Sequence, residues 1–269
     1  MSETLYILPE DLLPAEIVGE AGPDRTGGSD DGSPGAGHAS RAARHETPYG
    51  RVEQRGLALV RSAGTDPRAL IYAAKAAGAT AVLAAARVEA VSPLLEPGDL
   101  VVPADVIDLT RLLPPTFFVG KGYGFIRLNP PFCPELSAAL YAAAREKTPR
   151  VFRGAVYVGV DGSREATDAE RRMYRTWGGD VAGAGLVPEA FLARELELCY
   201  AGLAVVGEAQ VDLLTVLARA AGMVLRRREC GCGLAMAGAR NQGLIGDNWR
   251  EWLSGTPASQ MNRRTVRGG

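Results

Sequence analysis

The sequence predicts a three-layer α/β fold in which a mixed, largely parallel central sheet is flanked by helices. Short apolar runs typical of buried strands alternate with longer alanine-rich or amphipathic stretches typical of helices. Such alternation is typical of sheets whose strands run mostly parallel and whose two faces are both covered. The 269 residues are enough for one large domain with a substantial core.

The first half of the chain is predicted to contain several strands and two helices. Leu5 to Val18 is interpreted as a short strand or helix that packs on the main body. Apolar runs indicate further strands at 56–60, 81–86, 100–102 and 106–107. The segment 66–78 is predicted to be helical, with Leu70 and Ile71 facing inward. Pro134 predicts the start of a helix that extends to about residue 147, because proline is favoured in the first helical turn.

The second half continues the same alternation. Strands are predicted at 155–160 and 203–206, and helices at 167–177, 188–198 and 211–227. Thr167 is followed three residues later by Glu170, which is the spacing of a capping box. Thr167 is therefore interpreted first as a helix cap and second as a ligand contact.

Composition divides the chain into four segments. Residues 21–46 are rich in Gly, Ser and Asp and are predicted to be flexible, because they offer too little apolar surface to become ordered. The segments are a short N-terminal element at 1–20, the flexible segment at 21–46, the main domain at 47–262 and a basic tail at 263–269.

Charge and cysteine content exclude several classes of partner. The formal net charge of -1 gives no electrostatic reason to expect nucleic acid or a membrane surface as a partner. The chain has neither an apolar run long enough to span a bilayer nor the pattern of a signal peptide. Four cysteines favour a protein of the reducing cytoplasm over a disulfide scaffold. With histidine only at His38 and His45, a histidine-based metal site or catalytic dyad is poorly supplied. Neither a metal nor a cofactor is expected.

Short motifs between Gly154 and Gln210 carry a family resemblance. They are Ala169-Glu170, Trp177-Gly178, Asp180-Val181, Val187-Pro188-Glu189, Leu192-Ala193-Arg194-Glu195 and Cys199-Tyr200-Ala201. Together they resemble methylthioadenosine phosphorylase, within the trimeric purine nucleoside phosphorylase superfamily. Further matches extend the likeness over most of 47–238, at Thr47-Pro48-Tyr49-Gly50, Pro97-Gly98-Asp99 and Pro131-Phe132-Cys133-Pro134. The resemblance implies a nucleoside-phosphorylase-like fold, a nucleoside-like small-molecule ligand and a homotrimer.

The resemblance also implies a phosphate site, and the chain departs from it. The family builds this site from a Gly-Ser-Gly turn, an Arg-His pair and a threonine, whose N–H, guanidinium and hydroxyl groups hold the anion. Here the turn is missing, Arg61 is kept without the histidine, and Ala86 replaces the threonine. Arg87 and Glu89 are expected after the strand 81–86 as candidate anion-binding residues. The favoured alternative is a surface ion pair that contributes little stability.

Positions that the resemblance places around the nucleoside are changed as well. The candidate binding residues are Phe125, at a position for a histidine that reaches a neighbouring subunit, Arg164, Glu165 and Thr167 beside the nucleoside, Gly183, Ala184 and Gly185 against the ribose, and Gln210 beside the base. The resemblance places Glu208 and Gln210 where the family has two aspartates that bind an adenine edge.

Glu208 is the candidate catalytic residue. It is predicted just beyond the carboxyl end of the strand 203–206, where α/β sheets bind ligands. A carboxylate there is suited to protonate a heterocycle or to act as a general base. The alternative is a solvated glutamate in a loop.

Three functions are compatible with these residues. The main hypothesis, favoured by the missing phosphate ligands, is a non-phosphorolytic enzyme that acts on a nucleoside-like or heterocyclic metabolite by N-glycosidic cleavage, rearrangement or condensation. The first alternative is a catalytically inactive paralogue that forms homo- or hetero-trimers with an active phosphorylase. The second alternative is a true purine nucleoside or methylthioadenosine phosphorylase with a rearranged phosphate site.

Cys230 and Cys232 resemble a Cys-x-Cys pair near the C-terminus of some relatives. Two cysteines without a nearby histidine or further cysteine make a poor zinc site, so they are interpreted as small buried hydrophobic residues. A redox or cross-linking role is the alternative.

Overall fold

The computed structural model describes residues 4–13, 43–119, 126–162, 164–224, 229–246, 249 and 253. Phe125, most of the predicted flexible segment and the basic tail lie outside the described residues. The strands are β1 (Thr4–Pro9), β2 (Ala43–Thr47), β3 (Gly50–Arg55), β4 (Ala58–Arg61), β5 (Ala81–Ala90), β6 (Leu100–Asp108), β7 (Val151–Gly159), β8 (Val181–Gly183) and β9 (Cys199–Val206). The helices are α1 (Pro67–Ala76), α2 (Pro134–Arg145), α3 (Asp168–Thr176), α4 (Glu189–Glu195), α5 (Leu213–Met223) and α6 (Ala237–Asn241).

The described strands form one mixed sheet, in the order β2-β3-β4-β1-β5-β8-β7-β6-β9. Because β9 also pairs with β5, the strands β5, β8, β7, β6 and β9 form a closed circuit. β1 pairs in parallel with β4 and β5, β5 with β9, and β7 with β6 and β8. The β2–β3–β4 meander is antiparallel, as are the short contacts of β5 with β8 and of β6 with β9. The predicted α/β class with a mixed, largely parallel sheet is confirmed.

Helix starts follow local sequence signals. Asp66 caps α1 by accepting a hydrogen bond from the backbone N–H of Arg68, and a proline occupies the first turn of α1. Pro134 begins α2, as its position predicts. Asp212 caps α5 through the backbone N–H of Leu214.

The central strand β5 is longer than its apolar run predicts. Beyond Ala86 the strand continues to Ala90, where it leaves its parallel neighbours and pairs with β8 through Glu89 and Ala182. The expectation that Arg87 and Glu89 follow the strand is therefore wrong, because both residues lie within it. Polar residues at the end of a buried run hide such an extension when only hydrophobicity is considered.

Two core clusters cover the two faces of β5. Val82, Ala84 and Ala86 pack on the side of α1 and α4. Ala81, Leu83 and Ala85 pack on the side of α2 and α5, as the two-residue period of a strand requires. Among the described residues, no helix is long and apolar enough to cross a membrane.

The parallel strands β1, β4, β5 and β9 point the same way, so their carboxyl ends lie along one edge of the sheet. β1 is followed there by the acidic 3₁₀ turn Glu10–Leu12, β4 ends at Arg61, and β9 ends at Val206. Open α/β sheets bind ligands at this edge.

Candidate functional site

Arg61 and Glu189 form a buried ion pair beside this edge. The Arg61 Nε and Nη2 atoms donate hydrogen bonds to the two carboxylate oxygens of Glu189 at 2.7 and 2.8 Å. The Nη1 atom of Arg61 donates to the carbonyl oxygen of Ala85 in β5 at 2.9 Å. The Arg61 and Glu189 side chains are only 15% and 2% exposed, so the pair is largely shielded from water. This two-pronged geometry fixes the plane of the guanidinium.

Two tyrosines surround the pair. The Tyr200 hydroxyl donates to Glu189 Oε2 at 2.7 Å. Burial, followed by the charge of Glu189, raises the pKa of Tyr200 well above its ordinary value. Burial also raises the pKa of Tyr157, although the backbone of Leu186 and the charge of Arg61 oppose the shift. Burial lowers the pKa of Arg61, but Glu189 more than offsets this effect, so the guanidinium stays charged. We refer to Arg61, Glu189, Tyr200 and Tyr157 as the Arg61 network.

The two glycines predicted to face a ribose close one side of the Arg61 network. A Cβ atom on Gly185 would lie 2.8 Å from Arg61 Nη1, and the backbone φ of +117° already disfavours other residues there. A Cβ atom on Gly183 would lie 2.9 Å from the carbonyl oxygen of Arg87 and 3.2 Å from the Tyr157 hydroxyl. Ala184, between them, is exposed. The structure therefore brings Arg61, Gly183 and Gly185 together.

Arg87 and Glu89 do not form a pair with each other. Arg87 binds Asp11 of the 3₁₀ turn through its Nη2 atom at 2.9 Å, and it donates from Nη1 to the carbonyl oxygen of Gly207 at 2.7 Å. Glu89 accepts hydrogen bonds from the backbone N–H of Ala166 and from Arg171. Arg87 therefore links the ends of β1 and β9, whereas Glu89 anchors the loop before α3.

Arg164, Glu165 and Thr167 lie at the start of α3. The Arg164 guanidinium binds both carboxylate oxygens of Glu170 at 2.7 and 2.8 Å, and Glu165 is exposed. The Thr167 hydroxyl accepts from the Glu170 backbone, while the Glu170 carboxylate accepts from the Thr167 backbone. Hydrogen bonds from Arg164 and Thr167 lower the pKa of Glu170 to about 2. The predicted capping box is therefore present.

We expect Thr167→Ala to lower the free energy of unfolding by about 1 kcal/mol, because the first turn of α3 loses its side-chain acceptor. Urea denaturation measures the difference. Thr167→Ser, which keeps the hydroxyl, is the matched control and should stay within a few tenths of a kcal/mol of the parent. Equal stability of the alanine variant and the parent would contradict the capping role.

Glu208 and Gln210 lie just after β9, as predicted, and both are exposed. The Gln210 side chain covers the turn at Gly98, where a Cβ atom would lie 2.9 Å from Gln210 Cγ. The two residues therefore stand at the carboxyl edge of the sheet, next to the Gly207 carbonyl that Arg87 contacts.

Sequence reasoning missed the partners of Arg61. Glu189 and Tyr200 both fall within matched motifs, where they were treated as packing positions. Glu189 is the first residue of α4 and is only 1% exposed. A carboxylate buried in this way requires a compensating partner, and Arg61 supplies the positive charge. Nothing in the local sequence connects the two residues, because 128 positions separate them.

Comparison with known proteins places the chain in a family. Residues 39–223 match the model of the phosphorylase superfamily. The chain is 34% identical over 200 residues to the 6-oxopurine nucleoside phosphorylase of Pyrococcus furiosus, an alignment that covers 64% of this chain and 76% of that protein. It is 34% identical over 185 residues to the S-methyl-5'-thioadenosine phosphorylase of the same organism, covering 61% and 72%.

A solved structure supports the same fold. A methylthioadenosine phosphorylase sourced from an antarctic soil metagenomic library superposes with a TM-score of 0.67, at 20% identity, over 96% of this chain and 98% of that chain.

These relatives correct the main functional hypothesis. A non-phosphorolytic enzyme was expected because the phosphate ligands of the family are missing from the sequence. The relatives at 34% identity are instead named as nucleoside phosphorylases, which favours the alternative of a true phosphorylase. The expectation was wrong because the loss of individual phosphate-binding motifs was taken as the loss of the whole phosphate site. With the family model matched over most of the chain and the fold in agreement, the chain belongs to the phosphorylase superfamily.

Proposed function

We propose that this protein is a purine nucleoside phosphorylase with a rearranged phosphate site. In this reaction the N-glycosidic bond breaks, the sugar C1′ forms a bond to a phosphate oxygen, and the purine leaves as the free base. The main support is the 34% identity to a 6-oxopurine nucleoside phosphorylase over 76% of its length. The observation in the chain itself that carries the proposal is the buried, oriented guanidinium of Arg61.

Arg61 is proposed to bind the phosphate. Three of its five N–H groups donate hydrogen bonds to Glu189 and Ala85. Within the described part of the chain the other two are available to bind an anion. Glu189 fixes the direction of these groups before phosphate arrives, which reduces the cost of reorganisation during the reaction. Charge-assisted hydrogen bonds from arginine suit phosphate oxygens.

The backbone at 183–185 is proposed to face the sugar. Gly183 and Gly185 lie so close to Tyr157 and Arg61 that neither position has room for a Cβ atom. The exposed Ala184 between them is the side chain that this turn offers to a sugar, and it adds only a methyl group. This arrangement supports a nucleoside whose sugar lies near Arg61, where phosphate attacks.

Glu208 and Gln210 are proposed to select a 6-oxopurine base. Such a base presents an N–H donor at N1 and an acceptor at O6, whereas adenine presents an acceptor at N1 and a donor at its 6-amino group. An ionised glutamate only accepts hydrogen bonds, and a glutamine amide can donate them. A carboxylate and an amide therefore complement a 6-oxopurine better than an adenine.

We expect Gln210→Asp to lower the ratio of kcat/KM for inosine to that for adenosine by roughly 10- to 100-fold. The amide that donates to O6 is lost, and a carboxylate that accepts from the 6-amino group replaces it. Steady-state kinetics with both nucleosides measure the ratio. Gln242→Asp, which adds the same charge at an exposed position after α6, is the control. An unchanged ratio in the Gln210 variant would remove this residue from base selection.

We expect Arg61→Lys to raise the KM for phosphate and to lower kcat/KM by about 100-fold or more, because lysine keeps the charge but loses the planar fork. Initial rates at varied phosphate measure both parameters. Arg51→Lys, in an exposed ion pair of the β2–β3 hairpin, is the matched control. A variant with the KM for phosphate of the parent would show that phosphate binds elsewhere.

The proposed assembly is the homotrimer that the family resemblance implies. Trp177, after α3, is 51% exposed, and Met173 within α3 is 38% exposed, so α3 offers apolar surface for a subunit contact. Light scattering coupled to gel filtration should give three times the 28.3 kDa of one chain. A mass of one chain would contradict the proposal.

The test of the function is base release from inosine, guanosine, adenosine, methylthioinosine and methylthioadenosine, with and without phosphate. We expect release from at least one 6-oxopurine nucleoside that rises with phosphate and saturates. Release that is independent of phosphate, or no release from any of the five, would overturn the proposed phosphorolysis.

A further inference from the structure

All four cysteines of the chain meet at one point. Cys133 is the N-cap residue of α2, and Cys199 is the first residue of β9. Cys230 and Cys232 come from the 3₁₀ segment before α6. The four Sγ atoms lie within 4.8 Å of one another, and Cys199 and Cys230 are 3.4 Å apart. No further cysteine was expected near Cys230 and Cys232, but the fold brings Cys133 and Cys199 beside them.

The spacing of the sulfurs matches a metal cage. A tetrahedral ion with Zn–S bonds of 2.3 Å holds its sulfurs about 3.8 Å apart. Three of the four cysteines are buried, and Cys230 is half-buried, so the cluster is shielded from solvent. Four soft thiolate ligands in a closed arrangement are typical of structural zinc.

We propose that Cys133, Cys199, Cys230 and Cys232 bind one Zn²⁺ ion in a closed tetrathiolate site. Four protein ligands leave no position for a substrate, so the ion is structural rather than catalytic. It ties the segment before α6 to the start of α2 and to β9. Because these elements are distant in sequence, the ion stabilises a contact that would otherwise depend on packing alone.

The surroundings supply charge compensation and access. Four thiolates and one Zn²⁺ ion carry two net negative charges. Arg194, which is 6% exposed and donates to the carbonyl oxygen of Pro130 at 2.7 Å, places a positive charge near Cys232. Arg194 and Cys232 both line a cavity of about 550 Å³ through which an ion can enter.

The proposed ion is separate from the Arg61 network. Cys199 belongs to the core cluster on one face of β9, whereas its neighbour Tyr200 belongs to the cluster on the opposite face. Tyr200 hydrogen-bonds Glu189 there. The metal site therefore does not depend on the proposed phosphorolysis, and either can fail without the other.

Cobalt(II) titration of the full-length, reduced and metal-stripped protein tests the site directly. We expect the ligand-field and charge-transfer bands of tetrahedral cobalt tetrathiolate, saturating at one ion per chain and lost when Zn²⁺ is added. We also expect protein isolated in buffers without chelator to contain one zinc per chain, with thiols that react with a thiol reagent only after unfolding.

A ligand variant and a control variant test the assignment of the four sulfurs. Cys230→Ser, at the half-buried position, is expected to shift the cobalt spectrum to three sulfur ligands and to weaken binding at least 10-fold. Ser137→Ala, in the first turns of α2, is the control and should keep the full spectrum. Absence of the tetrathiolate bands in the reduced protein overturns the proposal. Disulfide bonds among these sulfurs in protein isolated without reductant, detected by intact mass, also overturn it.

Discussion

Replacing Glu189 with alanine is expected to lower the free energy of unfolding by about 3–5 kcal/mol. The Arg61 guanidinium would then be buried without its counter-charge, and the Tyr200 hydroxyl would lose its acceptor. Both groups remain in the core, because the pair is enclosed by β4, β5 and α4. Urea denaturation, with the midpoint and slope both fitted, measures the loss.

Two further variants define the cause of this loss. Glu46→Ala breaks an ion pair whose side chains are 64% and 71% exposed, so it should change stability by less than about 1 kcal/mol. The double variant Arg61→Met with Glu189→Leu replaces both charges with apolar groups, and it should recover most of the stability without recovering phosphorolysis. A Glu189→Ala variant as stable as the Glu46 control would contradict the role given to the buried pair.

The second large effect is a dependence of stability on pH that originates at Glu195. This glutamate is 2% exposed and accepts hydrogen bonds from the Thr116 hydroxyl and, at 2.7 Å, from the Phe117 backbone N–H. Burial raises the pKa of Glu195 to about 7, although the two hydrogen bonds oppose the shift. As the pH rises, the unfolded state, in which the Glu195 carboxyl has a pKa of 4.5, releases its proton at a lower pH than the native state does.

The sign of the effect follows from proton linkage. Between pH 4.5 and 7 the native chain binds more protons at Glu195 than the unfolded chain does, so stability falls as the pH rises. The stabilisation is complete below the unfolded pKa and is lost as the pH passes the folded pKa, by on the order of 3 kcal/mol. Glu195→Gln stays neutral and should lack this loss.

Urea denaturation of the parent and of Glu195→Gln at intervals from pH 5 to 8 measures the difference. Subtracting the two profiles cancels every other titrating group that the substitution leaves unchanged. A constant difference across this range would show that Glu195 is ionised in the native protein at all of these pH values.

Several elements of the fold could be predicted because their signals are local. Asp66 with Pro67 indicates the start of α1, Pro134 that of α2, and Thr167 with Glu170 that of α3. Each signal involves residues within one turn, so a single sequence contains all of it. The strands β2 and β3 were missed because their charged faces lack an apolar run, and β8 was missed because three residues are too few for a pattern.

The site was harder to predict because its contacts are long-range. Arg61 was identified, but Glu189 and Tyr200 were not, since tertiary structure alone brings them to it. The cysteine cluster is a similar case. The pair at 230–232 was recognised from the sequence, but Cys133 and Cys199 lie beside it only because the fold brings together the starts of α2 and β9. The fold also gives Arg87 and Glu89 different partners, although they are only two positions apart in β5.

The incorrect hypothesis of a non-phosphorolytic enzyme has a physical explanation. The missing Gly-Ser-Gly turn and the missing threonine were taken as loss of phosphate binding. An anion requires oriented donors and positive charge, and more than one set of residues can supply them. Arg61, fixed by Glu189 beside two glycines, is the set that we propose here.

The most direct test of phosphorolysis is phosphorus NMR of the protein with inosine and inorganic phosphate. We predict a new resonance of a sugar 1-phosphate that grows in step with the release of hypoxanthine and that is absent when inosine is withheld. Hypoxanthine released together with free ribose, while the phosphate signal stays unchanged, would contradict the central claim and identify the reaction as hydrolysis.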